Sequence, residues 1–132
     1  MGKLPASCPC GRSDARGRPL AFAACCGRWI AGEPAPDAES LMRSRYTAYT
    51  LGDEPYLLAT WHAGTRPAHV EPDPATKWIG LDVRDHRAVD ATHAEVEFVA
   101  RYRVQGRAGR LHERSRFVRE DGRWYYVDGD MR

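Results

Sequence analysis

Four cysteines fall in one short stretch, CPCGRSDARGRPLAFAACCG (residues 8 to 27), as two close pairs, Cys8/Cys10 and Cys25/Cys26. Thiolate is the favoured protein ligand of structural zinc, and two close pairs joined across a loop are the usual way to assemble a tetrahedral site. Gly11 and Gly27 follow the pairs and relieve crowding beside them. The alternatives are disulfides or four free thiols. A bridge within either pair is strained, so disulfides would have to cross between pairs. A site closed by four thiolates keeps no open position for a reacting molecule, so its expected work is folding and docking.

A second group of residues carries chemistry only if the chain folds a particular way. RLHERSRFVRE and RWYYVD flank Asp121-Gly122, a strong two-residue hairpin signal. Unbroken pairing from Glu120/Arg123 sets Arg119 opposite Trp124, Phe117 opposite Tyr126 and Ser115 opposite Asp128. The face bearing Phe117 and Leu111 must be covered, so Glu113, Ser115 and Asp128 are expected to point inward beside Tyr102, Phe117, Trp124 and Tyr126. Arg45 and Tyr46 lie in the apolar stripe of a helix, which predicts an Arg45 ion pair with the inward carboxylates. That would be a pocket in which a carboxylate serves as acid or base and Arg or Tyr holds negative charge. The competing reading is a structural polar network closing the open end of the fold. Trp61 and His62 end the segment TWH; His62 is a candidate pocket acid or base, or a helix C-terminal cap. His69, His86, His93 and His112 show no metal spacing and read as surface residues.

The elements that must position these groups follow from periodicity. Ala38, Leu41, Met42, Arg45, Tyr46 and Tyr49 recur on one helical stripe, with Asp37 as N-cap and Leu51-Gly52 as stop. A second short helix, capped by Asp53 with Pro55 in its first turn, is expected to face Leu57, Leu58 and Trp61 inward and to end near His62. TRPAHVEPDPA is loop. KWIGLDVR (77 to 84) predicts a strand with Ile79, Leu81 and Val83 on one face. HAEVEFVARYRV (93 to 104) sets Ala94, Val96, Phe98, Ala100, Tyr102 and Val104 against a charged face, as in half-buried antiparallel strands. Residues 1 to 36 lack any such period and need a local cross-link to be ordered; EPAPD (33 to 37) reads as the linker to a domain over residues 37 to 132.

The 132 residues, 42% hydrophobic and 29% charged, suit one soluble domain with a small appendage. No apolar run could span a membrane or serve as a secretory signal, so a cytoplasmic protein is expected, where clustered cysteines bind metal more often than they form disulfides. The net charge of +2 hides a polarised chain. Residues 1 to 36 carry five basic and two acidic side chains, 37 to 100 six and eleven, 101 to 123 eight and three. Arg101, Arg103, Arg110, Arg114 and Arg116 therefore raise nucleic-acid binding as a rival reading, though a solvated charged strand face is the commoner cause and nucleic acid is not the expected partner. No phosphate-binding glycine loop, dinucleotide fingerprint or nucleophile elbow is present, so no nucleotide cofactor is expected.

CPCG followed by LAFAACCG resembles the SEC-C motif, the small metal-binding element at the C-terminus of the SecA translocation ATPase and in other bacterial proteins. The continuation PAPDAESLMRSRYTAYTLGDEPYLLATWHAGTRP and the end LHERSRFVREDGRWYYVDG resemble the YchJ-type family, whose body has a nuclear-transport-factor-2-like fold. The resemblance implies an α+β cone, helices on a curved antiparallel sheet with a pocket between them. It implies Cys8, Cys10, Cys25 and Cys26 as ligands of zinc, with iron the alternative, and a docking partner in the export or ribosome machinery. The fourteen residues between Cys10 and Cys25 exceed the usual spacing; the extra ones sit in RSDARGRP. Taken together, these readings predict a metal-binding accessory protein with a pocket for a small ligand or a protein, the alternative being a small cofactor-independent enzyme, a hydrolase or isomerase using Glu113 or Asp128.

Overall fold

The computed structural model describes residues 5–132. A 3-10 turn (Phe22–Ala24) and three helices, α1 (Cys26–Ile30), α2 (Ala38–Leu51) and α3 (Glu54–Ala59), precede four strands, β1 (Thr76–Ala88), β2 (His93–Val104), β3 (Arg107–Glu120) and β4 (Arg123–Met131). The strands form one antiparallel sheet in the order β1-β2-β3-β4, and α2 lies against its inner face. This is the α+β arrangement the resemblance implies.

Local chemistry accounts for each boundary. Asp37 accepts a hydrogen bond from Ser40 N at 2.7 Å and starts α2, and Gly52, at φ 70°, ends it. Asp53 accepts from Tyr56 N at 3.1 Å and starts α3. Asp121-Gly122 turns with φ 51° and 78°, and Gln105-Gly106 with 50° and 78°; positive φ at both central residues matches the twist of the flanking strands.

Helix α2 departs from the single stripe its periodicity predicts. Beyond Leu41, Met42, Arg45 and Tyr46 it also buries Ser40, Ser44, Thr47 and Ala48. The sheet takes one side, while α3 and the N-terminal element take the other. Ser44 Oγ lies 2.6 Å from Tyr56 Oη, and Arg12 Nη1 donates to Ser40 Oγ at 3.0 Å. Small polar residues thus form a second buried face, each satisfied by what docks on it.

Two bulges rearrange expected strand faces. In β1 the register shifts between Trp78 and Gly80, so Ile79 is 53% exposed and Trp78 joins Leu81 and Val83 against the core. In β4, Phe117 still pairs with Tyr126, but Arg116 pairs with Asp128 and Ser115 with Gly129. Val127 is the extra residue, and Asp128 turns to the outer face, where Arg116 Nε donates to it at 2.6 Å. Asp128 is therefore not a pocket residue.

Helix α3 also ends before His62. Tyr126 N donates to Thr60 O and His62 N to Tyr126 O, both at 2.8 Å, so Trp61 runs parallel to β4 for one residue pair. This short pairing fixes Trp61 against Tyr126.

Asp128→Asn removes only an exposed ion pair with Arg116, so urea unfolding should show a loss of no more than about 1 kcal/mol; a loss of about 3 to 5 kcal/mol, the usual cost of breaking a buried pair, would place Asp128 on the core side after all.

Candidate functional site

The N-terminal element is a small hairpin. Cys8 N donates to Leu20 O at 2.9 Å, Leu20 N to Arg12 O at 3.0 Å and Phe22 N to Ala6 O at 3.0 Å. The RSDARGRP insert forms its tip: Asp14 Oδ1 accepts from Arg16 N at 2.8 Å and Arg18 N at 3.0 Å, and Asp14 N donates back to Arg18 O. The longer loop between the cysteine pairs is thus an ordered extension that leaves the cysteines in place.

All four cysteines are buried, and their Sγ atoms lie within 4.8 Å of one another. A tetrahedron with metal–sulfur bonds of ~2.3 Å has edges of about 3.8 Å; Cys10 Sγ and Cys25 Sγ stand 3.7 Å apart. None is disulfide-bonded. Gathering them without a cation penalises ionisation of more than one thiol: hydrogen bonding with Cys10 and Cys26 lowers Cys8, while burial and the neighbouring Cys10 and Cys8 push Cys25 up to about 12 and hydrogen bonding with Cys10 and Cys8 raises Cys26. A divalent cation removes that penalty. The donor set fits a metal and leaves no coordination position free.

The cluster does not stand apart from the body. It shares one hydrophobic core with Phe22, Leu41, Met42 and Tyr46, and Cys8 Sγ lies 3.8 Å from Thr47 Oγ1 on α2. Arg43 Nη1 donates to Cys10 O at 3.1 Å while its Nε pairs with Glu39 at 2.8 Å.

Between α2 and the sheet lies a cavity of about 230 Å³. Of the residues expected to form a pocket, Arg45, Tyr46, Trp61, Glu113, Ser115, Phe117 and Tyr126 line it, joined by Tyr49, Trp78, Phe98 and Leu111. Tyr102, His62 and Trp124 stand elsewhere. Tyr102 packs on Trp78 with ring centroids 5.4 Å apart and covers Gly109, where a methyl group would overlap its ring. His62 accepts from Gly64 N at 3.0 Å through Nδ1 and meets Glu120 at 2.9 Å through Nε2, which makes it a loop clasp. Trp124 lines a separate groove with Trp29 and Tyr56. Trp78 was hidden from the sequence by the β1 bulge, whereas Tyr49 already lay on the α2 stripe.

The expected Arg45 ion pair is not formed. Arg45 is 6% exposed, and its Nη1 donates to Leu57 O at 2.8 Å and Thr60 Oγ1 at 2.7 Å. The carbonyls at the end of α3 draw the guanidinium to that side. Its carbon sits 5.1 Å from the Trp61 ring centroid and 4.7 Å from that of Tyr126, and the two rings are themselves edge-to-face at 5.0 Å, so the cation meets both from one side. Glu113 instead accepts hydrogen bonds from Ser115 Oγ and, at 3.2 Å, from Tyr126 Oη. Gly129 makes this geometry possible, because a methyl group there would overlap the Glu113 side chain. Burial and the Glu113 carboxylate raise the Tyr126 phenol, keeping it a neutral donor.

The outer face of the sheet is charged and paired toward one end, while Arg101, Arg103 and Arg110 toward the other end are exposed and meet no carboxylate within 4.0 Å among the described residues. Arg114 contacts Asp85, Glu95 and Glu97 within 3.2 Å, and Arg116 contacts Asp128 and Asp130 within 2.8 Å. Among the described residues no helix is long and apolar enough to cross a membrane.

Comparison with known proteins places these features in a family. Residues 37–129 match the family model described as YchJ, middle NTF2-like domain. A UPF0225 protein from a Polaromonas species is 66% identical over 131 residues, covering 96% of this chain and 94% of the relative. Another from Bordetella bronchiseptica is 58% identical, covering 97% and 95%. The solution structure of a SEC-C motif containing protein from Rhodopseudomonas palustris aligns with TM-score 0.80 at 32% identity, covering 94% of this chain and 97% of that one. The crystal structure of a SEC-C motif containing protein from Psychrobacter arcticus aligns with TM-score 0.78 at 29% identity, covering 92% and 80%.

Because the cysteine cluster and α2 share one core, Cys26→Ser should lower the stability of the whole chain by roughly 3 kcal/mol or more. Urea unfolding followed by tryptophan fluorescence and circular dichroism should shift as one transition; a sheet signal unmoved by the substitution would contradict the shared core.

Proposed function

The chain belongs to the YchJ family, and we propose that it is a cytoplasmic small-molecule-binding protein whose SEC-C element is held by zinc and braces the binding domain. The observation that carries this reading is the cavity of about 230 Å³, walled by aromatic rings, with Arg45 and Glu113 as its charged groups. An apolar cleft with few convergent polar groups is the usual form of a ligand site. An apolar cavity of ~150 Å³ already accepts benzene, so this one suits a single-ring or branched compound.

Cys8, Cys10, Cys25 and Cys26 would hold the zinc, with iron the alternative for an all-sulfur tetrahedral site. Bound there, the metal supplies a cross-link and charge neutralisation. Four buried free thiols also suit a reducing compartment. The cysteine side of the element lies on α2, so a protein of the export or ribosome machinery, the partner implied by the SEC-C likeness, would meet its outer side.

Binding is favoured over hydrolysis or isomerisation by the polar contacts. Glu113 already accepts from two hydroxyls, and Arg45 is turned toward α3. Nucleic-acid binding is the weaker reading because Arg114 and Arg116 face carboxylates, which leaves Arg101, Arg103 and Arg110 of the five to carry it.

Native mass spectrometry of protein purified without added metal or ligand should show one bound metal ion and a retained small molecule. Leu111→Trp, which fills the cavity from the sheet, should lose the small molecule and keep the metal; equal retention by both proteins would sink the cavity reading. Fluorescence anisotropy with a labelled DNA duplex should give a Kd no tighter than ~10⁻⁵ M at 150 mM salt, within the non-specific range; nanomolar binding would restore the nucleic-acid reading.

A further inference from the structure

The polar groups of the cavity are satisfied unequally, and the inequality has a sign. Glu113 receives hydrogen bonds from Ser115 and Tyr126. Arg45 is 94% buried by the complement of its 6% exposure, yet only Nη1 finds acceptors, and no carboxylate among the described residues lies within 4.0 Å of it. Buried charges are ordinarily paired, and a guanidinium offers five N–H donors. Tyr126 connects the two charges, its ring under the guanidinium and its hydroxyl on the carboxylate. Trp61, edge-to-face with Tyr126, also lies within 5.1 Å of that guanidinium, and its Nε1 is a buried donor without a partner. The wall formed by Arg45 and Trp61 therefore has surplus donors and a surplus positive charge, and what it lacks is an anionic acceptor.

We infer that the cavity takes a small carboxylate with an aromatic or branched apolar body, its anionic group against the Nη2 and Nε edge of Arg45 and its body among the rings of Trp78, Phe98 and Phe117. This assignment rests on the cavity being a ligand site. An ammonium ligand would be repelled by Arg45 and would have to compete with Ser115 and Tyr126 for Glu113, and a neutral one would leave the guanidinium unpaired. The Trp61 and Tyr126 rings and the hydrogen bonds of Nη1 to Leu57 O and Thr60 Oγ1 fix the cation in position before the ligand arrives, which reduces the ordering cost of binding. Glu113 on the far side sets the depth, because a carboxylate that slid past Tyr126 would meet its repulsion.

Three probes of one size separate the charges: benzoate, benzamide and benzylamine, titrated into the full-length metal-loaded protein by heteronuclear NMR. Benzoate is expected to bind about tenfold or more tightly than the other two, in line with a charge-assisted hydrogen bond. Shifts should centre on the Trp61 indole and the Tyr126 amide. Glu113→Gln should tighten benzoate by removing a like charge, and Arg45→Lys, if folded by circular dichroism, should weaken it about tenfold. Benzylamine binding as well as or better than benzoate, or benzoate weakened by Glu113→Gln, would overturn the carboxylate assignment while leaving the cavity a ligand site. No probe binding at 10 mM, with Leu111→Trp indistinguishable from the parent, would overturn both.

Discussion

Helix α2 must be covered on two sides, and the rest of the molecule is arranged around that requirement. Toward the sheet it presents Met42, Arg45 and Tyr46, and an antiparallel sheet with an apolar inner face is enough to cover them. Away from the sheet it presents Ser40, Ser44 and Thr47, all nearly inaccessible to water. Such residues drive no burial by themselves; they permit close approach and demand hydrogen-bonding partners. Tyr56 satisfies Ser44 and Arg12 satisfies Ser40, while the four-sulfur cluster lies against Thr47. The N-terminal hairpin is too small to bring a core of its own. Cross-linking its cysteines substitutes for that missing core and gives α2 a second wall, which is why the metal site and the cavity belong to one object although α2 separates them.

The cavity depends on a different constraint, the order of residues along β4. Strict alternation through Tyr126 would have sent Asp128 inward beside Glu113, and two carboxylates without a cation between them would repel. One extra residue, Val127, sends Asp128 out to Arg116 and leaves Gly129 opposite Ser115. The absence of a side chain at Gly129 is what gives Glu113 its place. Bulges are found beside sites for this reason, since they re-aim single side chains at small cost to the ladder.

Much of this was legible beforehand where a residue type has one dominant use. Asp37 and Gly52 bounded α2 because a cap and a left-handed stop are local chemistry, and Asp121-Gly122 marked its hairpin for the same reason. Seven of the expected pocket residues line the cavity because the α2 stripe and the β3 alternation are long enough to carry the period. What escaped was non-local. The β1 and β4 bulges leave no mark in a two-residue period, so Ile79 was expected inside, Trp78 was not expected there, and Asp128 was put on the wrong face. The pairing of Trp61 with Tyr126 joins residues far apart in the chain, so neither the end of α3 nor the contact of Arg45 with both rings could be read from spacing. His62 followed that segment onto Glu120 instead of into the cavity.

The uneven charge along the sequence resolves in the same way. An acidic middle segment and a basic one after it look like two surfaces, one of them fit for a polyanion. In the fold these segments are neighbouring strands, since β2 pairs with β3 and places Glu95 opposite Arg116 and Glu97 opposite Arg114. Segregation in sequence becomes alternation in space: Arg114 is shared by three carboxylates, and His112 takes a fourth contact by meeting Glu97 at 2.8 Å. Hydrogen bonding with His112 and with Arg114 holds the Glu97 carboxyl below its ordinary range, so these contacts persist wherever the carboxylates are ionised. A polyanion approaching Arg114 would have to displace them, whereas Arg101, Arg103 and Arg110, toward the other end of the same strands, are exposed without such partners. Among the described residues the buried guanidinium is that of Arg45, and it has no anion beside it.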